Sequence, residues 1–136
     1  MIRALDTSGS ALAAQRVRMD VIAGNIANAF STVQEDGTLE PYRRRVVTFA
    51  AGGPGGGAGV HVDEVLEDAS DFRLQWDPGH PHAIPDGPLA GYVRYPNVNV
   101  SMEYVDAIVA SRAYEANLAM MNLTRDMIQQ AIQLFA

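Results

Sequence analysis

The sequence has 136 residues and contains neither cysteine nor lysine. Without cysteine there is no disulfide framework, no thiolate metal site and no cysteine nucleophile. Without lysine there is no phosphate-cradling G-x-x-x-x-G-K loop. Positive charge is scarce: ten arginines stand against 16 acidic residues, for a formal net charge of −6. Nucleic acid is thereby disfavoured as the main partner, because phosphate binding needs a basic footprint. No apolar run approaches the roughly 18 residues that a membrane span requires. The opening stretch, MIRALDTSGSALAAQRVRMD, is broken by Asp6, Gln15, Arg16 and Arg18. It lacks the continuous apolar region of a Sec-type signal peptide. The expectation is a protein that stays in the cytosol or leaves by a route that reads no such peptide. None of the six serines lies in a G-x-S-x-G context, and no nucleophile–base pair is legible.

What is present is unevenly distributed. The length gives one domain by the usual prior, able to bury about two-thirds of its unfolded surface. Six of the twelve glycines fall between Gly52 and Gly59, and five of the seven prolines between Pro78 and Pro96. Residues 1–40 and 97–136 contain no proline, so two uninterrupted ends flank a middle rich in breakers. Most of the negative charge sits in that middle, where residues 51–100 carry two arginines and seven acids.

The first end reads as a helix over about residues 2–29. Leu5, Ser8, Leu12, Gln15, Met19, Ile22, Ile26 and Ala29 recur at alternating spacings of three and four, a heptad seam diluted by Ser8 and Gln15. Gly9 and Gly24 each cost roughly 1 kcal/mol relative to alanine, so the helix is weak in isolation. The last end reads as a helix over about 100–135, started by Asn99 or Ser101 as cap. Its seam is Val109, Ala113, Ala116, Met120, Leu123, Met127, Gln130 and Leu134. Between the helices, residues 42–49, 60–66, 72–76 and 91–95 are enriched in β-branched and aromatic side chains and read as short strands. The GGPGGGAG run over 52–59 joins the first two as a flexible hairpin loop. The fold class is mainly α with a small β-rich insert. Residues 1–30 and 99–136 form a helical domain, and 31–98 a small β-rich and loop domain.

Both helices carry more apolar residues than one seam uses. Ala11, Ala13, Ala14, Val17, Val21, Ala23 and Ala27 lie off the first seam; Ala107, Ile108, Ala110, Leu118, Met121, Ile128 and Ile132 lie off the second. A helix apolar on several faces needs cover on several faces. Two readings follow: a self-contained helical bundle with a β insert, or helices that pack against other copies or related chains.

The chemically suggestive residues admit bland readings. Asp77, His80 and His82 are possible metal ligands, but Pro78, Pro81, Pro85 and Pro88 make the segment read as an extended, φ-restricted loop in which His80 bonds to backbone. His61 is remote in sequence. Arg43, Arg44 and Arg45 alternate sides if they lie on a strand, so they do not form one basic patch. Asp63, Glu64, Glu67, Asp68 and Asp71 are natural partners for them, within the chain or in a neighbour. Arg112 and Glu115 are three apart and can pair on the helix surface. Asn25 and Asn28 suit either a helix end or a buried bond that fixes register. Met102, Met120, Met121 and Met127 read as core.

The segment Met19-Asp-Val-Ile-Ala-Gly-Asn-Ile-Ala-Asn28 resembles the N-terminal signature of the bacterial flagellar rod and hook family. Ala110-Ser-Arg-Ala-Tyr-Glu-Ala-Asn117 resembles its C-terminal signature. Pro41-Tyr-Arg-Arg44, Asp77-Pro-Gly-His-Pro81 and Gly91-Tyr-Val-Arg-Tyr-Pro-Asn-Val-Asn99 are similar to its proximal-rod members. The resemblance runs in order along nearly the whole chain. It implies a structural subunit, not an enzyme, with no cofactor. It further implies export through the flagellar type III apparatus without a cleaved signal. The terminal helices would be largely disordered in the free chain and pair as an antiparallel coiled coil on assembly. The implied partners are copies of itself, other rod proteins, and ring, export-gate or adaptor proteins at the rod base, with no nucleic acid and no membrane insertion. On this resemblance, subunit contacts fall on Leu5, Leu12, Met19, Ile22, Asn25, Ile26 and Asn28. In the second helix they fall on Arg112, Tyr114, Glu115, Asn117, Met120, Leu123 and Met127. The chain departs from the family at Gly24, where Asn is common, and at His82, where Asp is usual. The segments 29–40 and 83–90 also differ, which bears on loop contacts. The competing readings are another rod or hook subunit, and a small metal-dependent enzyme built on His61, His80 and His82.

Overall fold

The computed structural model of the chain describes residues 2–34, 36–53 and 57–135. Six elements follow in order: α1 (Ile2–Ala27), β1 (Arg45–Ala51), β2 (Val60–Glu67), β3 (Arg73–Trp76), β4 (Tyr92–Tyr95) and α2 (Val100–Phe135). The mainly helical class with a small β insert holds. α2 begins at one of the two expected caps: Asn99 Oδ1 accepts the backbone N–H groups of Ser101 and Met102 at 3.1 and 3.3 Å. Those are two of the four donors a helix start leaves unpaired. α1 ends at Ala27, two residues short of the expected limit, and its chain turns through Asn28 and Ala29.

The two helices run antiparallel. Asn25 meets Glu103 (3.1 Å), Arg18 meets Asp106 (3.9 Å), and Gly9 lies beside Met121. α1 also carries the β1–β2 hairpin, which runs alongside it; α2 packs against α1 alone among the elements. This difference in cover explains the burial. Within α1, Ala14, Ile22 and Asn25 are buried. Within α2 only Glu103 and Ala110 are, and no described residue after Ala110 is buried. The core gathers where the helices meet the middle of the chain, around Ile22, Ala29, Pro41, Val93, Val98 and Ala110.

The α1 seam lies on the covered side, with Ile22 and Ala29 buried and the rest half-buried. The α2 seam is displaced. The row facing α1 is Glu103, Ala107, Ala110, Tyr114, Asn117, Met121, Thr124, Ile128 and Ala131. It lies one residue, or about 100° around the helix, from the row that periodicity picks out. Val109, Met120, Leu123, Met127 and Leu134 therefore point outward. The methionines are corrected likewise: Met102, Met120 and Met127 are more than half exposed, and only Met121 turns toward α1. α2 has cover on one side only, and Gly9 of α1 leaves room there for Met121: a methyl group placed on Gly9 would touch it at 3.8 Å.

The four strands form two separate antiparallel pairs, β1–β2 and β3–β4. β1 starts at Arg45, three residues later than expected, because the backbone N–H of Arg44 is already taken by Asn97 Oδ1 at 2.8 Å. A bulge between Thr48 and Phe49 gives β2 one extra residue, Asp63. Gly52 and Gly59 close the hairpin (2.9 Å); Pro54, Gly55 and Gly56 of the Gly-rich run lie outside the described residues. The hairpin's far end rests on α1, where Ser10 Oγ accepts the Val60 N–H at 3.1 Å. A Cβ on Gly59 would come within 2.6 Å of that oxygen. The proline-rich stretch between β3 and β4 is not extended; it folds into successive turns laced back through Ile84 to Gly91 and Tyr92. Gly91 has φ +84°, and a Cβ there would strike the Trp76 ring at 2.7 Å, so this position takes glycine on both counts.

Candidate assembly interface

Asn25 of the first signature segment and Tyr42 and Arg44 of the Pro41–Arg44 motif converge on one polar cluster. Asn25 sits at the end of α1 with 1% exposure. Its side-chain amide takes the place of a strand partner for Arg45. Oδ1 accepts the Arg45 N–H at 2.9 Å, and Nδ2 donates to the Arg45 carbonyl at 2.8 Å. Oδ1 also accepts the Tyr42 hydroxyl (3.0 Å), and Nδ2 donates to Glu103 Oε2 (3.1 Å). All four bonding positions of the amide are thereby used. Glu103, also 1% exposed, takes Arg44 Nε on its other oxygen at 2.5 Å. Arg44 reaches Asp106 (3.4 Å) and Asp68 (3.6 Å) as well. One cluster thus ties α1, the approach to β1, the turn after β2 and the first turn of α2.

The electrostatics follow from this arrangement. Burial alone would lower the Arg44 pKa, but the hydrogen bond and charge of Glu103, with Asp68 and Asp106, outweigh it and raise the guanidinium above its ordinary value. Burial pushes the Tyr42 hydroxyl upward. The Ser70 N–H and hydroxyl, followed by Arg44, hold Asp68 below the usual carboxylate range. A buried ion pair of this kind gives little net stability, since desolvation offsets most of the attraction, but removing one member is costly.

The arginine run is used within the chain. Arg44 pairs as described, Arg43 stacks over Phe72 at 4.3 Å, and Arg45 lies over Tyr42 at 5.6 Å. Of the two partners expected for these arginines, the one within the chain is present at Arg44, which pairs with Asp68. Of the acids expected to meet them, Asp68 forms an ion pair, with Arg44; Asp63, Glu64 and Glu67 stand exposed. His80 bonds to backbone as its loop position suggested, its Nδ1 accepting the His82 N–H at 3.0 Å. His82 Nδ1 meets Thr32 Oγ1 (2.8 Å), while His61 bonds far away to the Gly52 carbonyl (2.7 Å). Among the described residues no three His, Cys, Asp or Glu side chains gather around a common point suited to a metal. No described helix is long and apolar enough to cross a membrane.

The fourteen residues singled out in sequence fall into two groups. Ile22 and Asn25 are buried, and Leu5, Leu12, Met19, Ile26, Asn28, Tyr114 and Asn117 are half-buried inside the folded chain. Asn28 and Asn117 each bond back to a carbonyl one turn earlier, Gly24 at 2.9 Å and Ala113 at 2.8 Å. Arg112, Glu115, Met120, Leu123 and Met127 are exposed, and Arg112 and Glu115 pair at 2.9 Å as their spacing required. The outward face of α2 is apolar over most of its length, with Met120, Leu123 and Met127 at 55%, 54% and 53% exposure. Glu103, Arg44 and Tyr42, which complete the cluster around Asn25, are not legible as a group in the sequence. Glu103 looks like an ordinary first-turn acid, and nothing local marks a partner 59 residues away.

Known proteins match this pattern. The family described as "Flagella basal body rod protein" matches residues 5–33, which hold the Asn25 end of α1. The family described as "Flagellar basal body rod FlgEFG protein C-terminal" matches residues 89–134, from β4 through α2. The flagellar basal-body rod protein FlgC of Bacillus subtilis is 40% identical, over 96% of this chain and 95% of its own length. FlgC of Borreliella burgdorferi is 40% identical over 97% and 95%, and FlgC of Salmonella typhimurium 39% over 98% and 97%. These relatives are structural rod proteins, not enzymes. Matched at both signature ends and along nearly its full length, the chain belongs to the flagellar basal-body rod protein family.

Proposed function

We propose that this chain is a subunit of the proximal rod, joining copies of itself and other rod proteins through its terminal helices to carry motor torque outward. The observation that carries the reading is the outward row of α2, where Val109, Met120, Leu123, Met127 and Leu134 stand exposed along one apolar face. Monomeric proteins rarely leave so long an apolar face without a partner. Residues 1–30 and 99–136 act as the assembling helical domain, paired as an antiparallel coiled coil in the rod; residues 31–98 form the smaller domain packed against it. Arg112, Glu115, Met120, Leu123 and Met127, exposed on α2, are the contact residues that meet a neighbour. Leu5, Leu12, Met19, Ile22, Asn25, Ile26, Asn28, Tyr114 and Asn117 order the helix pair that presents them. Torsional stiffness arises because close-packed helices resist deformation.

The chain reaches the rod through the flagellar type III apparatus, without a cleaved signal. At the rod base it meets ring, export-gate or adaptor proteins. The reading is tested by electron microscopy of a strain lacking the gene. Loss of rod, hook and filament is expected, restored by the intact gene but not by copies lacking residues 1–28 or 110–136. Normal hooks and filaments in the deletion strain would refute it.

A further inference from the structure

Two rows of α2 compete for the surface of α1. The row in contact is mixed: Glu103, Ala107, Ala110, Tyr114 and Asn117 in its first half, then Met121, Thr124 and Ile128. The row one residue earlier holds Val109, Ala113 and Ala116 and then the bulkier Met120, Leu123 and Met127; its large apolar members face outward. Burial of apolar area alone would favour turning those members inward, and a turn of α2 by about 100° would exchange the two rows.

The polar cluster opposes that turn. Glu103 is fully enclosed, with one oxygen on Arg44 Nε and the other on Asn25 Nδ2. Rotating α2 would pull the carboxylate from both donors and leave buried polar groups unpaired, which costs more than the same groups never having been buried. We propose that Glu103, held by Arg44 and Asn25, is a register lock: it selects the row through Ala107 and Ala110 for pairing inside the chain and keeps the row of Val109, Met120, Leu123 and Met127 outward. That the outward row is kept for a neighbouring copy rests on the assembly reading above; the lock itself does not. Setting the alignment of paired helices is the best-attested use of a single buried polar group. Asn25 is also bonded to both backbone groups of Arg45, so the lock closes only when β1 lies beside α1.

The chain contains no cysteine, so single introduced thiols report on each row without background. Val109→Cys and Ala110→Cys lie two turns from Glu103, at one position more than half exposed and one fully buried. With Glu103 intact, the thiol of Val109→Cys is expected to alkylate about tenfold faster than that of Ala110→Cys, since reaction of the buried thiol requires local opening. In the Glu103→Leu background the ratio should fall to one or below. Glu103→Leu leaves Arg44 with Asp68 and Asp106 as partners, so the guanidinium is not stranded. An unchanged ratio in a folded Glu103→Leu chain would overturn the lock. Should that chain lose its helical circular dichroism, Arg44→Met/Glu103→Leu, which removes both charges, takes its place and is read in the same way. Loss of helicity in both backgrounds also overturns the proposal, because a lock that only selects register leaves the helices formed. The thiol ratio is read on the isolated chain and rod formation in cells, so failure of either reading leaves the other standing.

Discussion

Asn25→Ala tests the view that one amide organises the junction of helices and strands. The substitution removes four hydrogen bonds, to Arg45 N, Arg45 O, Tyr42 Oη and Glu103 Oε2. Arg45 is exposed and its backbone groups can turn to water, so they contribute little to the loss. Glu103 is enclosed and Tyr42 half-buried, and each loses a partner that water cannot easily replace. At about 1–3 kcal/mol for each stranded buried group, the expected cost is about 3 kcal/mol. With a urea slope of about 2 kcal/mol per molar for a chain this size, the unfolding midpoint should fall by roughly 1.5 M. Asn28→Ala, which removes only the bonds to Gly24 and Ser31, should cost about 1 kcal/mol or less. Urea denaturation followed by circular dichroism measures both. A loss below about 0.5 kcal/mol for Asn25→Ala, within the range of an ordinary surface change, would refute the central role of the amide.

Other perturbations separate assembly from stability. Leu123→Asp and Met127→Asp alter exposed positions and should change the unfolding free energy of the isolated chain by no more than about 0.5 kcal/mol. The same variants should abolish swimming in soft agar; normal swimming would contradict the assigned face. Gly91→Ala forces a left-handed backbone on alanine and a methyl group into the Trp76 ring, and should cost about 1–3 kcal/mol; since Trp76 is the single tryptophan, its fluorescence should report the shift directly. The folded Asp68 pKa lies below its unfolded value, so its stabilising contribution is complete above about pH 4 and lost as pH falls through the folded value. Asp68→Asn should therefore flatten the acid limb of a stability–pH curve, and an unchanged limb would remove Asp68 from the account.

The extents of the helices, the four strands and the cap at Asn99 were legible because their signals are local: spacing, β-branched clusters and side chains that reach backbone two or three residues away. The Arg112–Glu115 pair is legible for the same reason, as a matter of three residues on one helix. Family membership also lay in the sequence, in short runs of residues such as the one that ends in Asn28. The rotation of α2 was not legible, since periodicity identifies every apolar row and cannot rank two rows set about 100° apart. Nor was the Asn25–Arg44–Glu103 cluster, whose members come from separate parts of the fold up to 78 residues apart. The sequence by itself determined which segments become helix and strand, because those choices depend on nearest neighbours along the chain. Only the tertiary structure decided which face of α2 turns inward, because that choice depends on satisfying a buried carboxylate with donors brought from distant parts of the chain.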